Sequence, residues 1–200
     1  MEKEKMKDTV SAFEMMVKVF GIVTKICGFV CLVFAVLTLL FGEKMFAAGE
    51  LTLDLDFLKL HLAESLQTNS GALQIYAVVG LLTGSVLCFV MSYACSVLRR
   101  ILARVKAGRP FEAAVVTDLR KIGWSVIVGG AVSALLGVVE RHILTRAYPM
   151  EEIFAAEAVT RVEYVYTMDF GFVLTACAIF LLSYIFSYGQ ALQRESDETL

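Results

Sequence analysis

The sequence predicts an all-α membrane protein of four transmembrane helices in a bundle, with both termini cytoplasmic. Three observations predict it. Apolar residues make up 58% of the 200-residue chain and charged residues 19%, against about 25% charged in an average soluble chain. Four apolar stretches, Val19–Phe41, Ile75–Leu98, Ile122–Val139 and Phe170–Leu192, recur along the chain. As helices they match or approach the roughly 30 Å of bilayer hydrocarbon. The basic residues between them are unevenly shared among the connections. The mean hydropathy of +0.72 agrees, and four spans in this length leave room for one domain.

The first span carries one charge, Lys25, near its expected inner end. The long lysine stem can return the ammonium to the headgroups. A charged segment, Met1–Asp8, precedes the span, as in a secretory signal. The apolar run is nevertheless longer than the roughly 7–15 residues of a signal core. Ala47–Ala48 makes only a weak cleavage site, so an uncleaved span is expected. Val10, Phe13, Val17 and Phe20 recur at helical spacing and extend the helix inward.

The second span, Ile75–Leu98, has no charged residue. Its helix is expected to run on through Arg99–Lys106 and stop near Gly108. Glycine suits the position just past a helix end, and Pro110 can open a new helix but not continue the old one. The third helix then starts near Phe111 and enters the bilayer after Lys121. The third span is short but extendable, and the fourth closes the bundle.

Orientation follows from lysine and arginine. The connection between the second and third spans holds Arg99, Arg100, Arg104, Lys106, Arg109, Arg120 and Lys121, and the N-terminal segment holds Lys3, Lys5, Lys7 and Lys18. The other two connections hold Lys44 and Lys59, and Arg141, Arg146 and Arg161. Both termini and the middle connection are therefore placed in the cytoplasm. The two outer loops are acidic. Leu51–Phe57 alternates apolar and polar residues as a half-buried strand does. Val159–Thr167 is rich in β-branched and aromatic residues. A small β pairing between the two loops is expected, with an amphipathic helix as the alternative for either.

Composition also bounds function. A net charge of −2 gives no basic field for nucleic acid, so no direct nucleic-acid binding is expected. All five cysteines, Cys27, Cys31, Cys88, Cys95 and Cys177, lie in apolar stretches and read as small packing residues rather than a disulfide framework. His61 and His142, even with Glu64 or Glu140, lack the spacing of a zinc site. No nucleophile elbow, phosphate loop or dinucleotide fingerprint is present. No catalytic, cofactor-binding or metal-ligating residue is expected, and the protein is expected not to be an enzyme. Within the spans the polar residues include Thr24, Thr38, Thr83, Ser85, Thr175 and Ser183, hydroxyls that mostly bond their own helix. No acid or histidine stands near the midplane and no span is broken by proline, which argues against active transport.

Small residues recur every four positions at Gly80, Gly84, Cys88, Ser92 and Ser96, and again at Ser125, Gly129, Ser133 and Gly137. Gly21, Gly28, Ala35 and Gly42 follow one another at heptad spacing. Close approach through small residues drives helix association in lipid. The stripes are expected to pack helices within the chain, with a homo-oligomer seam as the alternative. The basic middle connection reads first as topology plus attraction to anionic lipid, about 1 kcal/mol per basic residue near the surface. The sharper reading is a docking face for an acidic cytoplasmic partner.

Two stretches carry a family resemblance. Gly108, Pro110 and Phe111, then Leu119, Arg120, Ile122 and Gly123, form a G-x-P-F turn followed by L-R-x-I-G. Gly189, Leu192, Glu195, Asp197 and Thr199 form a G-x-x-L-x-x-E-x-D-x-T tail. The chain resembles the bacterial membrane family called domain of unknown function 2975. Arg109 stands where asparagine is common, and Leu200 where isoleucine is common. The resemblance implies no established activity. It implies a membrane partner for a small helix-turn-helix transcriptional regulator. Glu195, Asp197 and Glu198 are expected to approach Arg120 or Arg104 and close the inner end. The leading expectation is a regulatory or protein-interaction role. The alternatives are a small permease or channel-like protein, or an immunity or envelope-stress protein.

Overall fold

The computed structural model describes residues 2–47, 52–55, 58–61, 70–147 and 170–198. Among them stand four helices: α1 (Glu2–Ala47), α2 (Ser70–Lys106), α3 (Ala113–Ala147) and α4 (Gly171–Glu198). All four are long and apolar enough to cross a membrane, which makes the chain a multi-pass membrane protein. At about 1.5 Å per residue even α4 exceeds the hydrocarbon thickness. Each helix therefore extends past its apolar run into the headgroup region or beyond.

Two strands, β1 (Thr52–Leu55) and β2 (Leu58–His61), pair antiparallel, with Thr52 opposite His61 and Leu55 opposite Leu58. The strand expected at Leu51–Phe57 thus forms in shorter span, and its partner is the segment that follows it in the same connection. Local pairing closes a far shorter loop and loses less chain entropy than pairing across the molecule. The partner expected for it, Val159–Thr167, lies outside the described residues.

The helices run through two compact units. The first comprises Met1–Phe29, Ser85–Ala134 and Asp169–Leu200, and the second Val30–Gly84 and Leu135–Met168. In the first, the heptad glycines of α1 seat on α2. A Cβ on Gly21 would stand 3.1 Å from the Cβ of Cys95, and one on Gly28 would stand 3.2 Å from that of Cys88. Ser92 donates its hydroxyl to the Gly21 carbonyl at 3.0 Å, and Ser85 donates to that of Gly28 at 2.9 Å. On α3, Gly129 admits Val90 of α2 and Gly123 admits the ring of Phe180 of α4. Ser183 of α4 donates to the Val116 carbonyl at 3.2 Å. Val97, Val115 and Ala176 are fully buried at this core.

In the second unit, Gly42 of α1 packs under Gln74 of α2, whose amide donates to the carbonyls of Thr38 and Leu39, both at 2.9 Å. Thr83 of α2 meets the carboxylate of Glu140 on α3 at 2.8 Å and the Val79 carbonyl of its own helix at 2.9 Å. An acid thus stands at the end of the third span, away from the midplane. Glu140 follows the third apolar run directly, and its side chain reaches back to a threonine inside the second.

The every-four stripes pack within the chain only in part, at Cys88 and Ser92 against α1 and at Gly129 against α2. Among the described residues nothing lies within 4 Å of a Cβ built on Gly80, Gly84 or Gly137. Ser96 and Ser125 bond carbonyls of their own helices, and Ser133 is half-buried. Gly129 alone of the glycines expected in those two stripes is closely packed. The reason is angular. At 3.6 residues per turn a four-residue step rotates about 40° around the helix, whereas a seven-residue step rotates only about 20° the other way. A long stripe at spacing four winds off any straight seam, and one at spacing seven stays on it.

Side chains turned outward are strongly apolar. Leu174 is 76% exposed, Leu40 66% and Tyr184 70%. In water such surfaces would drive aggregation; in hydrocarbon they are already in their preferred solvent.

Candidate interaction site at the basic end

The first unit gathers the start of α1, the α2–α3 turn and the end of α4. The turn is closed by backbone geometry. Gly108 adopts a φ of 75°, a conformation that glycine takes without steric cost. Its N–H donates to the Val105 carbonyl at 3.0 Å, and that of Arg109 donates to the Arg104 carbonyl at 3.1 Å. These are the two bonds of a Schellman cap, and they satisfy carbonyls that the end of α2 leaves free. A bond from the Val115 N–H to the Glu112 carbonyl, 2.8 Å, opens α3. The third helix therefore begins two residues later than the sequence suggested, with Pro110 in the turn ahead of it.

Phe111 ties this turn to α4. Its ring lies 5.6 Å from that of Phe186, and a Cβ on Gly189 would stand 2.7 Å from its Cε1. The G-x-P-F turn and the glycine of the tail pattern are thus two halves of one contact. Gly123 serves similarly farther along α3, where the Phe180 ring occupies the space a side chain would need. Leu119 and Pro110 are half-buried, and Arg109 and Arg120 point outward.

Beside the turn, charged groups converge on Asp118, which is only 3% exposed. Arg104 donates from Nη1 to its Oδ2 at 2.6 Å, and Lys121 donates to its Oδ1 at 3.2 Å. Arg100 Nε stands 3.7 Å from Oδ2, and Arg104 Nε stands 3.8 Å from the carboxylate of Glu112. Asp118 precedes the apolar run that starts at Ile122, so it lies outside the hydrocarbon. Burial works to raise its pKa, but hydrogen bonds from Arg104 and Lys121, with the charges of Arg100 and Lys121, outweigh it and hold the carboxyl below its usual range. Lys106 reaches α1, 3.9 Å from the Glu14 carboxylate and 3.3 Å from the Ser11 hydroxyl.

At the turn itself Arg104 meets the carboxylates of Asp118 and Glu112. Glu195 is exposed, and the side chain of Asp197 lies outside the described residues. Asp118 was absent from the sequence-derived site, although a signal existed. It falls three residues after Val115 and four before Ile122, on the apolar face of α3, where an acid has to find cations.

The sequence model of a family described as protein of unknown function DUF2975 matches residues 60–200. The chain belongs to this family. The DUF2975 match takes in α2, α3 and α4 with both motif stretches, and leaves α1 ahead of it. Among the residues that carry the family resemblance, Gly108 caps α2, while Phe111, Gly123 and Gly189 pack the α2–α3 turn and α3 against α4. No curated protein and no solved structure matches the chain.

Proposed function

We propose that the protein is a non-enzymatic regulatory membrane protein of the bacterial inner membrane, with both termini cytoplasmic, whose basic end holds a cytoplasmic partner. The supporting observation is the construction of that end. The turn carrying Arg109 is capped at Gly108 and clamped to α4 through Phe111, so its outward cation stands on a rigid support. A fixed cationic face recognises a complementary acidic surface and suppresses wrong partners by charge. The family resemblance suggests a small helix-turn-helix transcriptional regulator as that partner.

The experiment is purification of the full-length protein from membranes with whatever cytoplasmic protein it retains. A small helix-turn-helix regulator in stoichiometric amount, lost on charge reversal of Arg109 and Arg120, is the expected result. Retention of no such regulator, or retention indifferent to both reversals, overturns the reading. A small permease is the second reading, favoured by the Thr83–Glu140 contact beside the apolar spans. Solute flux in liposomes separates the two.

A further inference from the structure

A groove of about 480 Å³ runs along the outward face of the first unit, lined by Phe89, Val90 and Tyr93 of α2 and by Lys121, Trp124, Ser125 and Val128 of α3. Its lining is apolar except at one end. The walls are braced from behind. Phe89 meets Phe29 of α1 edge-on at 5.1 Å, and Trp124 meets Phe180 of α4 edge-on at 5.8 Å. Tyr93, Trp124 and Val128 remain 48%, 60% and 54% exposed, so the groove is open toward the surroundings of the helices.

The polar end leads into a second, smaller cavity of about 220 Å³. That cavity is lined by Arg100, Arg104, Ala114, Thr117 and Asp118, and by Lys121, which both cavities share. Arg100 follows Tyr93 by seven residues on α2, and Lys121 precedes Val128 by seven on α3, so the apolar and basic parts follow one seam. Three cations stand here against the carboxylates of Asp118 and Glu112. Lys121 places one contact on Asp118 at 3.2 Å, and its ammonium has three donors. Arg100 approaches the same carboxylate only at 3.7 Å and its side chain is 51% exposed. Both can add an anion without giving up Asp118.

We propose that this seam is a binding site for an anionic glycerophospholipid of the surrounding bilayer. One acyl chain lies in the groove between Phe89, Tyr93, Trp124 and Val128, and the phosphate meets Lys121 and Arg100. The chemistry of the two ends selects this ligand. A hydrocarbon slot that ends on spare basic donors matches a molecule with an apolar tail and a negative head. A neutral lipid leaves the cations unanswered, and a soluble anion leaves the slot unfilled. Tyrosine and tryptophan at the junction suit the headgroup boundary, where such rings concentrate.

Trp124 is the chain's single tryptophan, so its fluorescence reports this groove alone. The test reconstitutes the full-length protein in vesicles of unlabelled phosphatidylcholine with a small fraction of brominated lipid, either phosphatidylglycerol or phosphatidylcholine, brominated high on the acyl chain. Brominated phosphatidylglycerol should bind beside Trp124 with about 30-fold preference, the factor expected of two basic contacts to an anionic headgroup. The preference should shrink in high salt and fall to about fivefold in Lys121→Gln or Arg100→Gln. Equal quenching by both lipids overturns the proposal, since the groove then holds ordinary boundary lipid. Quenching by neither also overturns it, and points to a second copy of the chain covering the groove. A preference undiminished in both variants places the anionic headgroup elsewhere and overturns it as well. The comparison of headgroups on the unaltered protein decides the matter even where a variant fails to fold.

Discussion

At the scale of single residues, Asp118 shows how a buried acid is kept charged near a membrane surface. Its two oxygens are shared among Arg104, Lys121 and Arg100, so removing its charge leaves three cations crowded together. Breaking a buried pair costs roughly 3–5 kcal/mol; with Arg100 and Lys121 half-exposed and screened, Asp118→Asn is expected to cost about 2 kcal/mol. Because its folded pKa is lowered, the contribution is fully present above the ordinary carboxylate value of about 4 and disappears as pH falls through the lower folded value. Unfolding followed in detergent micelles should therefore separate the parent from Asp118→Asn at neutral pH and bring them together in acid. A gap that stays constant with pH would remove the charge from the explanation. The sequence displayed the seven basic residues of this connection plainly. It hid Asp118 among them, because the identity of the buried face of α3 depends on where α4 and α2 lie.

At the scale of elements, glycine means different things at different places. Gly189 and Gly28 are occupied positions, with Phe111 and Cys88 filling the space of a side chain. Gly84 has open space around it. Gly84→Ala is expected to stabilise α2 by up to about 1 kcal/mol, the usual gain from removing a helix-interior glycine. Gly189→Leu and Gly28→Leu are expected to cost about 1–3 kcal/mol through overpacking. Thermal unfolding in one detergent, read for all three variants, checks the contrast; destabilisation of the same size at Gly84 would contradict it. Helix existence and the stop at Gly108 were legible because they rest on composition and on local backbone chemistry. Helix pairing was most legible where a heptad repeat kept small residues on one side, at Gly21, Gly28 and Gly42, and less so in the four-residue stripes, where Gly129 packs but Gly80, Gly84 and Gly137 do not. The hydroxyls divide the same way. Thr24 and Thr175 bond their own helices, as short polar side chains in spans commonly do, whereas Ser85, Ser92 and Ser183 bond a neighbour's carbonyl.

At the scale of the whole molecule, the distribution of charge and of apolar surface fits a protein whose solvent is lipid. Large apolar side chains face outward on every helix, while serines, a threonine and an aspartate occupy buried positions. The orientation proposed from the basic residues has a direct measurement. A fluorescent protein that matures only in the cytoplasm should glow when fused after the C-terminus, and a periplasm-dependent phosphatase should be active when inserted after Lys59. The reverse pattern would invert the protein and place its basic end outside. The first helix has a further consequence for how such a chain can change over time. Ser85, Ser92 and Gln74 grip α1 by its carbonyl oxygens, and glycines leave those carbonyls uncovered. Every residue type offers the same carbonyl, so the grip does not read the rest of the helix. The outward side chains of α1 are thus free to drift among apolar residues. Selection needs to keep only a few glycines in register, in the one helix that lies ahead of the family match.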